Sequence, residues 1–275
     1  MPLYVVATPI GNLQDLTARA REVLAACDAV VAEDTRHTGQ LLKHLGIEKK
    51  PFHALPAYDE ARRAAAILDL LGQGASLALV TDAGTPAVSD PGALLVRRAV
   101  EQGIAVVPVP GPSAAISAVS VSGFAQPRFH FAGFLPRKPK ARSAMLDELR
   151  SLRAQLVFYE SPHRLAATLR DLQAALGNRP ALVARELTKL HEELARGTLS
   201  ELAGRFSGEV RGEVVVVVSG APEEQAEEDP ADLEREVRER LLRGERPKQI
   251  AEALSGSHGK REIYQLALTL KEQSS

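Results

Sequence analysis

Four short stretches of this chain carry residue types that could do chemistry. They are Thr8-Pro9-Ile10-Gly11-Asn12, Ala32-Glu33-Asp34-Thr35-Arg36-His37, the run TDAGTPAVSDPG at 81–92, and Pro108-Val109-Pro110-Gly111-Pro112-Ser113-Ala114. Glycine and proline at such places let backbone amides and carbonyls approach a ligand closely. The carboxylates and His37 could exchange protons with it. Taken singly, each stretch reads more readily as a tight turn. All four follow strand-like runs in the first half of the chain, so together they point to one shared rim. Ligands of open parallel sheets bind at such a rim, beyond the carboxyl ends of the strands.

Several familiar chemistries are missing. No Gly-x-Gly-x-x-Gly follows the first strand-like run, and no Gly-x-x-x-x-Gly-Lys-Ser/Thr occurs. Gly72-Gln73-Gly74 falls between a helical and a strand-like segment, the wrong setting for a dinucleotide fingerprint. There is no Gly-x-Ser-x-Gly elbow, and the histidines do not combine with the lone Cys27 in zinc-ligand spacing. These absences argue against a dinucleotide enzyme, a P-loop nucleotidase and a structural zinc site, and no metal is expected.

The elements that must position these stretches read as an α/β pattern. Strands are expected at 3–8, 29–32, 76–81 and 105–108. Between them lie a helix carrying Leu16, Ala20, Val23, Leu24 and Cys27, a helix from an Asp59 cap to Leu71, and a helix over 93–102 stopped by Gly103. Ser113 can cap the helix that follows it. A second series gives strands at 128–133, 156–160 and 182–185 and helices over 142–153 and from Ser161-Pro162 to Gly177. Thr198 with Glu201 matches a capping box, and the five valines of Val214–Val218 read as a central strand. Apolar runs without alternation imply mainly parallel sheets covered on both faces. The expected organisation is an α/β domain over 1–120, a second over 121–222, an acidic linker at 223–230 and a small helical tail over 231–275.

The 275 residues suit about two domains. Lys plus Arg (34) and Asp plus Glu (35) nearly cancel, so net charge does not single out a polyanionic partner. One cysteine excludes an internal disulfide, no apolar run is long enough to cross a bilayer, and no signal-peptide order opens the chain. A cytoplasmic protein without a membrane partner is the expectation. Locally, Arg137, Lys138, Lys140 and Arg142 stand in a proline-braced run without an acid, suited to phosphate contacts as well as to plain solvation. In the tail, Ile250, Ala251, Leu254, Ile263 and Leu266 would form a mini-core of a helix-turn-helix, or pack on the main body.

The motifs ATPIGNLQDLT, AEDTRHT, VTDAGTPAVSDPG, VPVPGPSA, GFLPRKPKAR and FYESPHR, in that order over about 3–220, resemble the bacterial 16S ribosomal RNA cytidine 2′-O-methyltransferases, the RNA-modifying branch of the tetrapyrrole methylase superfamily. The resemblance implies two α/β domains with S-adenosylmethionine in the cleft between them, methylation of a ribose in the decoding region of the small ribosomal subunit, and a homodimer. On that pattern the cofactor falls to Pro9, Asp82, Gly84, Thr85, Ser113, Ala114 and Tyr159. Gly84→Val is expected to block the ligand without unfolding the chain. The acceptor side falls to Asp34, Arg36, Glu160 and Arg164, with Glu33 and His37 in reserve. Asp34 and Glu160 are candidate bases, and the two arginines could grip phosphate or simply pair with these acids. Two other classes stay open: methyl transfer to a tetrapyrrole or, more weakly, to a protein, and a non-catalytic RNA-binding assembly factor. The basic run and the helical tail weigh against a tetrapyrrole, which needs neither.

Overall fold

The computed structural model describes residues 1–222, 230–254 and 260–273. The chain divides into two compact units, Met1–Ala221 and Pro222–Ser275.

The first unit holds two five-stranded sheets. Strands β1 (Leu3–Val6), β2 (Ala29–Ala32), β3 (Phe52–Ala54), β4 (Leu77–Val80) and β5 (Val106–Val109) form the first sheet in the order β3-β2-β4-β1-β5. Every pairing in it is parallel. Helices α1 (Ala18–Ala26), α2 (Thr35–His44), α3 (Glu60–Gly72) and α4 (Ala93–Glu101) supply its connections. One face packs Val31, Leu77 and Leu79 with Ile67, Leu68 and Leu95, and the other packs Val30, Ala78 and Val80 with Leu24 and Leu42. Burial on both faces is why these strands are apolar runs instead of alternating ones. Parallelism also puts the carboxyl ends of β1, β2, β4 and β5, and the four stretches that follow them, on one rim.

The second sheet corrects the expectation of mainly parallel pairing. Strands β6 (Phe129–Phe134), β7 (Gln155–Glu160), β8 (Pro180–Arg185), β9 (Glu193–Thr198) and β10 (Val214–Val218) run in the order β6-β7-β10-β8-β9. Only β6 and β7 are parallel; β10 runs antiparallel to both β7 and β8, and β8 antiparallel to β9. The short link after β8 allows a hairpin, and a fully buried strand looks alike in either direction. The five valines of β10 do lie at the centre. Val214, Val216 and Val218 face a core with Leu165, Leu169 and Leu172, while Val215 and Val217 face Ala115 and Ala118. Those alanines belong to α5 (Ala114–Ser120), so the helix leaving the first sheet is seated on the second.

Helices α6 (Pro139–Leu149), α7 (Leu165–Leu176) and α8 (Leu199–Arg205) complete this unit. The Thr198–Glu201 capping box is present, with the Thr198 N–H donating to Glu201 at 2.7 Å. The other expected caps, those of Ser113 and Asp59, are not made by side chains, and the Ser161 side chain makes no cap bond either. The Asp59 carboxylate instead binds Arg62 and Arg63. α6 begins three residues earlier than expected because Pro139 serves its first turn, where a missing N–H costs nothing. Lys140 and Arg142 are therefore helical and not part of an extended loop.

The second unit has α9 (Pro230–Leu242), α10 (Pro247–Ala253) and α11 (Lys260–Gln273). Val237, Ile250, Ala251, Ile263, Ala267 and Leu270 form its core, with Leu254 and Leu266 packed against it. Residues 223–229 of the expected acidic linker, and 255–259 of the expected turn between the last two helices, lie outside the described residues.

Candidate functional site

The rim stretches are bound to one another by their own polar groups. Thr8 and Gly84 exchange backbone hydrogen bonds at 2.9 and 3.1 Å, and the Thr8 hydroxyl donates to the Thr81 carbonyl at 3.0 Å. The Thr85 hydroxyl donates to the Pro112 carbonyl at 3.2 Å, and the Asp34 N–H to Asp82 Oδ1 at 3.4 Å. Two non-glycine residues of the 81–92 loop, Ala87 and Ser89, hold left-handed backbone at φ +66° each. Such strain persists only where surrounding structure enforces it, and it concentrates at functional sites. Across the cleft, the Asn12 N–H donates to Thr188 Oγ1 at 3.0 Å, joining the first rim stretch to the β8–β9 link.

Between the two sheets lies a cavity of about 440 Å³. Asp82, Gly84, Thr85, Ser113, Ala114, Tyr159 and Glu160 all line it. Pro9 does not: it is buried, and its neighbour Ile10 provides that part of the wall. The acidic residues Glu33, Asp82, Asp90, Glu160 and Glu213 are part of the lining, while the described residues lining it include no Lys, Arg or His. Outside the lining, Lys189 pairs with Glu213 at 2.9 Å and Arg164 lies 3.5 Å from Glu160. Burial, then Asp82 and Asp90, push the Glu33 carboxyl above its ordinary pKa. Burial likewise raises Asp90, with Asp82 adding to it. Thr81 offsets part of both shifts, yet its buried hydroxyl has no partner at ordinary hydrogen-bonding geometry. Burial also raises the Tyr159 phenol.

Of the acceptor-side candidates, Glu160 lines the cavity whereas Asp34, Arg36 and Arg164 do not. Asp34 caps α2 and binds Arg36 through both oxygens, at 3.1 and 2.8 Å, and neither residue lines the cavity. Hydrogen bonds from the Arg36 side chain and backbone hold the Asp34 carboxyl far below its usual range. Arg36 itself stays exposed. Glu160 is 3% exposed and both its oxygens are engaged, by the Ser161 N–H at 2.7 Å and the Thr168 hydroxyl at 2.6 Å. Arg164 lies 3.5 Å from Glu160, donates to the Leu135 carbonyl at 3.0 Å, and does not line the cavity. Arg137, Lys138 and Lys140 are exposed, whereas Arg142 is half-buried and paired with Asp171 at 3.1 Å. The run is thus free of acids in sequence but not in space.

Asp90 and Phe134 are lining residues that sequence reasoning did not select. Asp90 sits inside the singled-out 81–92 stretch, so its type and place were the available signal. Phe134 lies in the quoted GFLPRKPKAR motif but was not singled out, because a phenylalanine beside a strand reads as core.

A sequence model of the family described as Tetrapyrrole (Corrin/Porphyrin) Methylases matches residues 2–203. Ribosomal RNA small subunit methyltransferase I of Escherichia coli O157:H7 is 46% identical over 273 residues, covering 97% of this chain and 94% of that protein. The protein of the same name from Haemophilus influenzae is 50% identical over 224 residues, covering 80% and 79%. Among solved structures, the cobalt precorrin-4 methyltransferase CbiF superposes with a TM-score of 0.61 at 16% identity, over 79% of this chain and 94% of that one. Uroporphyrin-III C-methyl transferase from Thermus thermophilus, complexed with S-adenyl homocysteine, gives 0.59 at 17% identity, over 80% and 97%. At such identities these structures share the fold.

Proposed function

The chain belongs to the tetrapyrrole methylase family, and from that premise we propose that it methylates the 2′-hydroxyl of a cytidine in the decoding region of 16S ribosomal RNA, using S-adenosylmethionine. The near-full-length similarity to proteins named ribosomal RNA small subunit methyltransferase I supports the RNA substrate. The observation that carries the cofactor reading is the cavity wall, which includes Glu33, Asp82 and Asp90 and no cationic residue among its described residues. Such a wall suits a ligand bearing a positive sulfonium and repels one bearing phosphates. Its volume of about 440 Å³ is that of a small-molecule site.

When bound, the cofactor supplies an electrophilic methyl carbon and a sulfur leaving group. Asp82, Ser113 and the backbone around Gly84 and Ala114 hold its polar groups, Thr85 fixes the loop, and Tyr159 closes the side of the second sheet. The protein must also orient the hydroxyl and receive its proton. Glu33 and Asp90 suit that task, since they line the cavity and their environment favours proton uptake. Asp34 is held ionised outside the lining, and Glu160 is saturated with hydrogen bonds. Arg36, Arg137, Lys138 and Lys140 offer exposed positive charge to RNA phosphates, and the working form is a homodimer, which sedimentation tests.

The test is transfer of labelled methyl from S-adenosylmethionine to purified small subunits, to naked 16S RNA and to a uroporphyrin, side by side. Label in either RNA sample supports the reading. Label in the uroporphyrin alone, or in nothing, overturns it.

A further inference from the structure

Phe134, the last residue of β6, lines the cavity yet keeps 53% of its surface exposed. Its ring meets Tyr159 at 5.7 Å between centroids and 63° between planes, while Phe131 meets the same tyrosine at 4.9 Å and 69°. Residues three apart on a regular strand point to opposite faces. Here the register of β6 on β7 shifts between Phe131 and Gly133, and Gly133 takes φ +65°. The extra residue of this bulge returns Phe134 to the side of Phe131. A Cβ on Gly133 would lie 3.2 Å from Ser89 Oγ, so the bulge abuts the strained 81–92 loop. The backbone is thus bent to bring an aromatic ring to the cavity without burying it. Neither aromatic contact is face to face, so neither is a stack that would cover the Phe134 ring.

The surroundings tell which ligand suits that ring. Arg137 and Lys138, three and four residues on, are exposed and positive, whereas the lining is acidic and would repel phosphate. A nucleotide at this mouth would leave its phosphates outside, with the cations, and lay its base on the phenylalanine. Single-stranded RNA is gripped in this way, by aromatic stacking beside a basic track.

We propose that Phe134 is the stacking platform for the nucleobase of the acceptor nucleotide, drawn out of the RNA and held at the mouth of the cavity. The inference rests on the RNA reading above and assigns the nucleobase subsite within it. The adenine of the cofactor is the other flat ring that could lie there, and the test separates the two.

The chain has no tryptophan, so Phe134→Trp places one reporter at the site. Its emission is expected to be quenched by 16S RNA and unchanged by S-adenosylmethionine alone. Phe134→Ala is expected to lose about tenfold or more in kcat/KM for RNA, with calorimetric cofactor affinity within about twofold of the parent, and Phe134→Trp to recover most of the loss. Quenching by the cofactor alone, or a Phe134→Ala protein that binds cofactor poorly, would assign the ring to adenine and overturn the proposal. So would unchanged kcat/KM in Phe134→Ala. A parent protein that labels no RNA in the same assay would sink the function itself, an outcome distinct from a failure of the variants alone.

Discussion

The Thr168 hydroxyl, itself fully buried, donates a 2.6 Å hydrogen bond to Glu160 Oε2 and thereby joins α7 to the end of β7 beside the cavity. With the Ser161 N–H on the other oxygen, this carboxylate organises the cavity wall. Glu160→Ala leaves the Thr168 hydroxyl and the Ser161 amide unsatisfied and frees Arg164. A stability loss of about 2–4 kcal/mol is expected in urea unfolding. Thr168→Val should lose less, about 1–2 kcal/mol. Full stability in Glu160→Ala would mean that the carboxylate is kept for chemistry alone.

The raised pKa values of Glu33 and Asp90 fix the direction of two pH effects. A carboxyl raised in the folded state binds more protons there than when unfolded, between its ordinary and raised values. Stability of the cofactor-free protein therefore falls as pH climbs through that window, and Asp90→Asn removes part of the fall. A bound cation favours the ionised carboxylates, so cofactor affinity should rise with pH over the same window while protons are released. Calorimetry in buffers of different ionisation enthalpy measures that release. If one of the pair takes the hydroxyl proton, Asp90→Asn or Glu33→Gln also slows single-turnover transfer by about a hundredfold or more. An absence of proton release, with parental rates in both variants, would remove these two residues from the site chemistry.

Gly84 carries a different constraint from the one expected. Its φ of +87° is left-handed, and a Cβ there would face Ile10 at 3.5 Å and the Pro112 carbonyl at 3.9 Å. Gly84→Val should therefore lower stability by about 1–2 kcal/mol along with cofactor affinity. Thermal unfolding read beside calorimetry distinguishes this from a ligand clash in an unperturbed fold.

Replacing Arg137, Lys138 and Lys140 together with Gln should weaken binding to small subunits and flatten its salt dependence. The log–log slope should shrink by about 0.7 for each single-strand phosphate that the variant no longer neutralises. Cofactor affinity should stay at the parental value. Arg142→Gln should differ, losing stability through Asp171 more than salt slope. Equal slopes for parent and triple variant would leave the run a solvated surface.

The site was legible where chemistry is local. Asp82-Ala83-Gly84-Thr85 and Ser113-Ala114 belong to stretches rich in glycine, proline and hydroxyl residues that follow apolar runs, and they line the cavity. The pairing of Asp34 with Arg36 was one of two readings left open by the sequence, and it is the one formed. Relations made only in space were not legible: the saturation of Glu160 by Thr168 and the bulge that turns Phe134. In the fold, α2 was hidden because Thr35–His44 is mostly polar and buries only Thr38, Leu41 and Leu42. β9 was hidden because ELARGT is an edge strand carrying charge. The antiparallel course of β10 was hidden because five valines, buried on both faces, carry no mark of direction.

The chemical position of the methyl group distinguishes ribose transfer from every other methylation. After reaction with labelled S-adenosylmethionine, 16S RNA can be digested to nucleosides and the label located by mass spectrometry. The expected result is label on the ribose of a cytidine, as 2′-O-methylcytidine. Label on a base carbon or nitrogen, or on no RNA nucleoside at all, would contradict it.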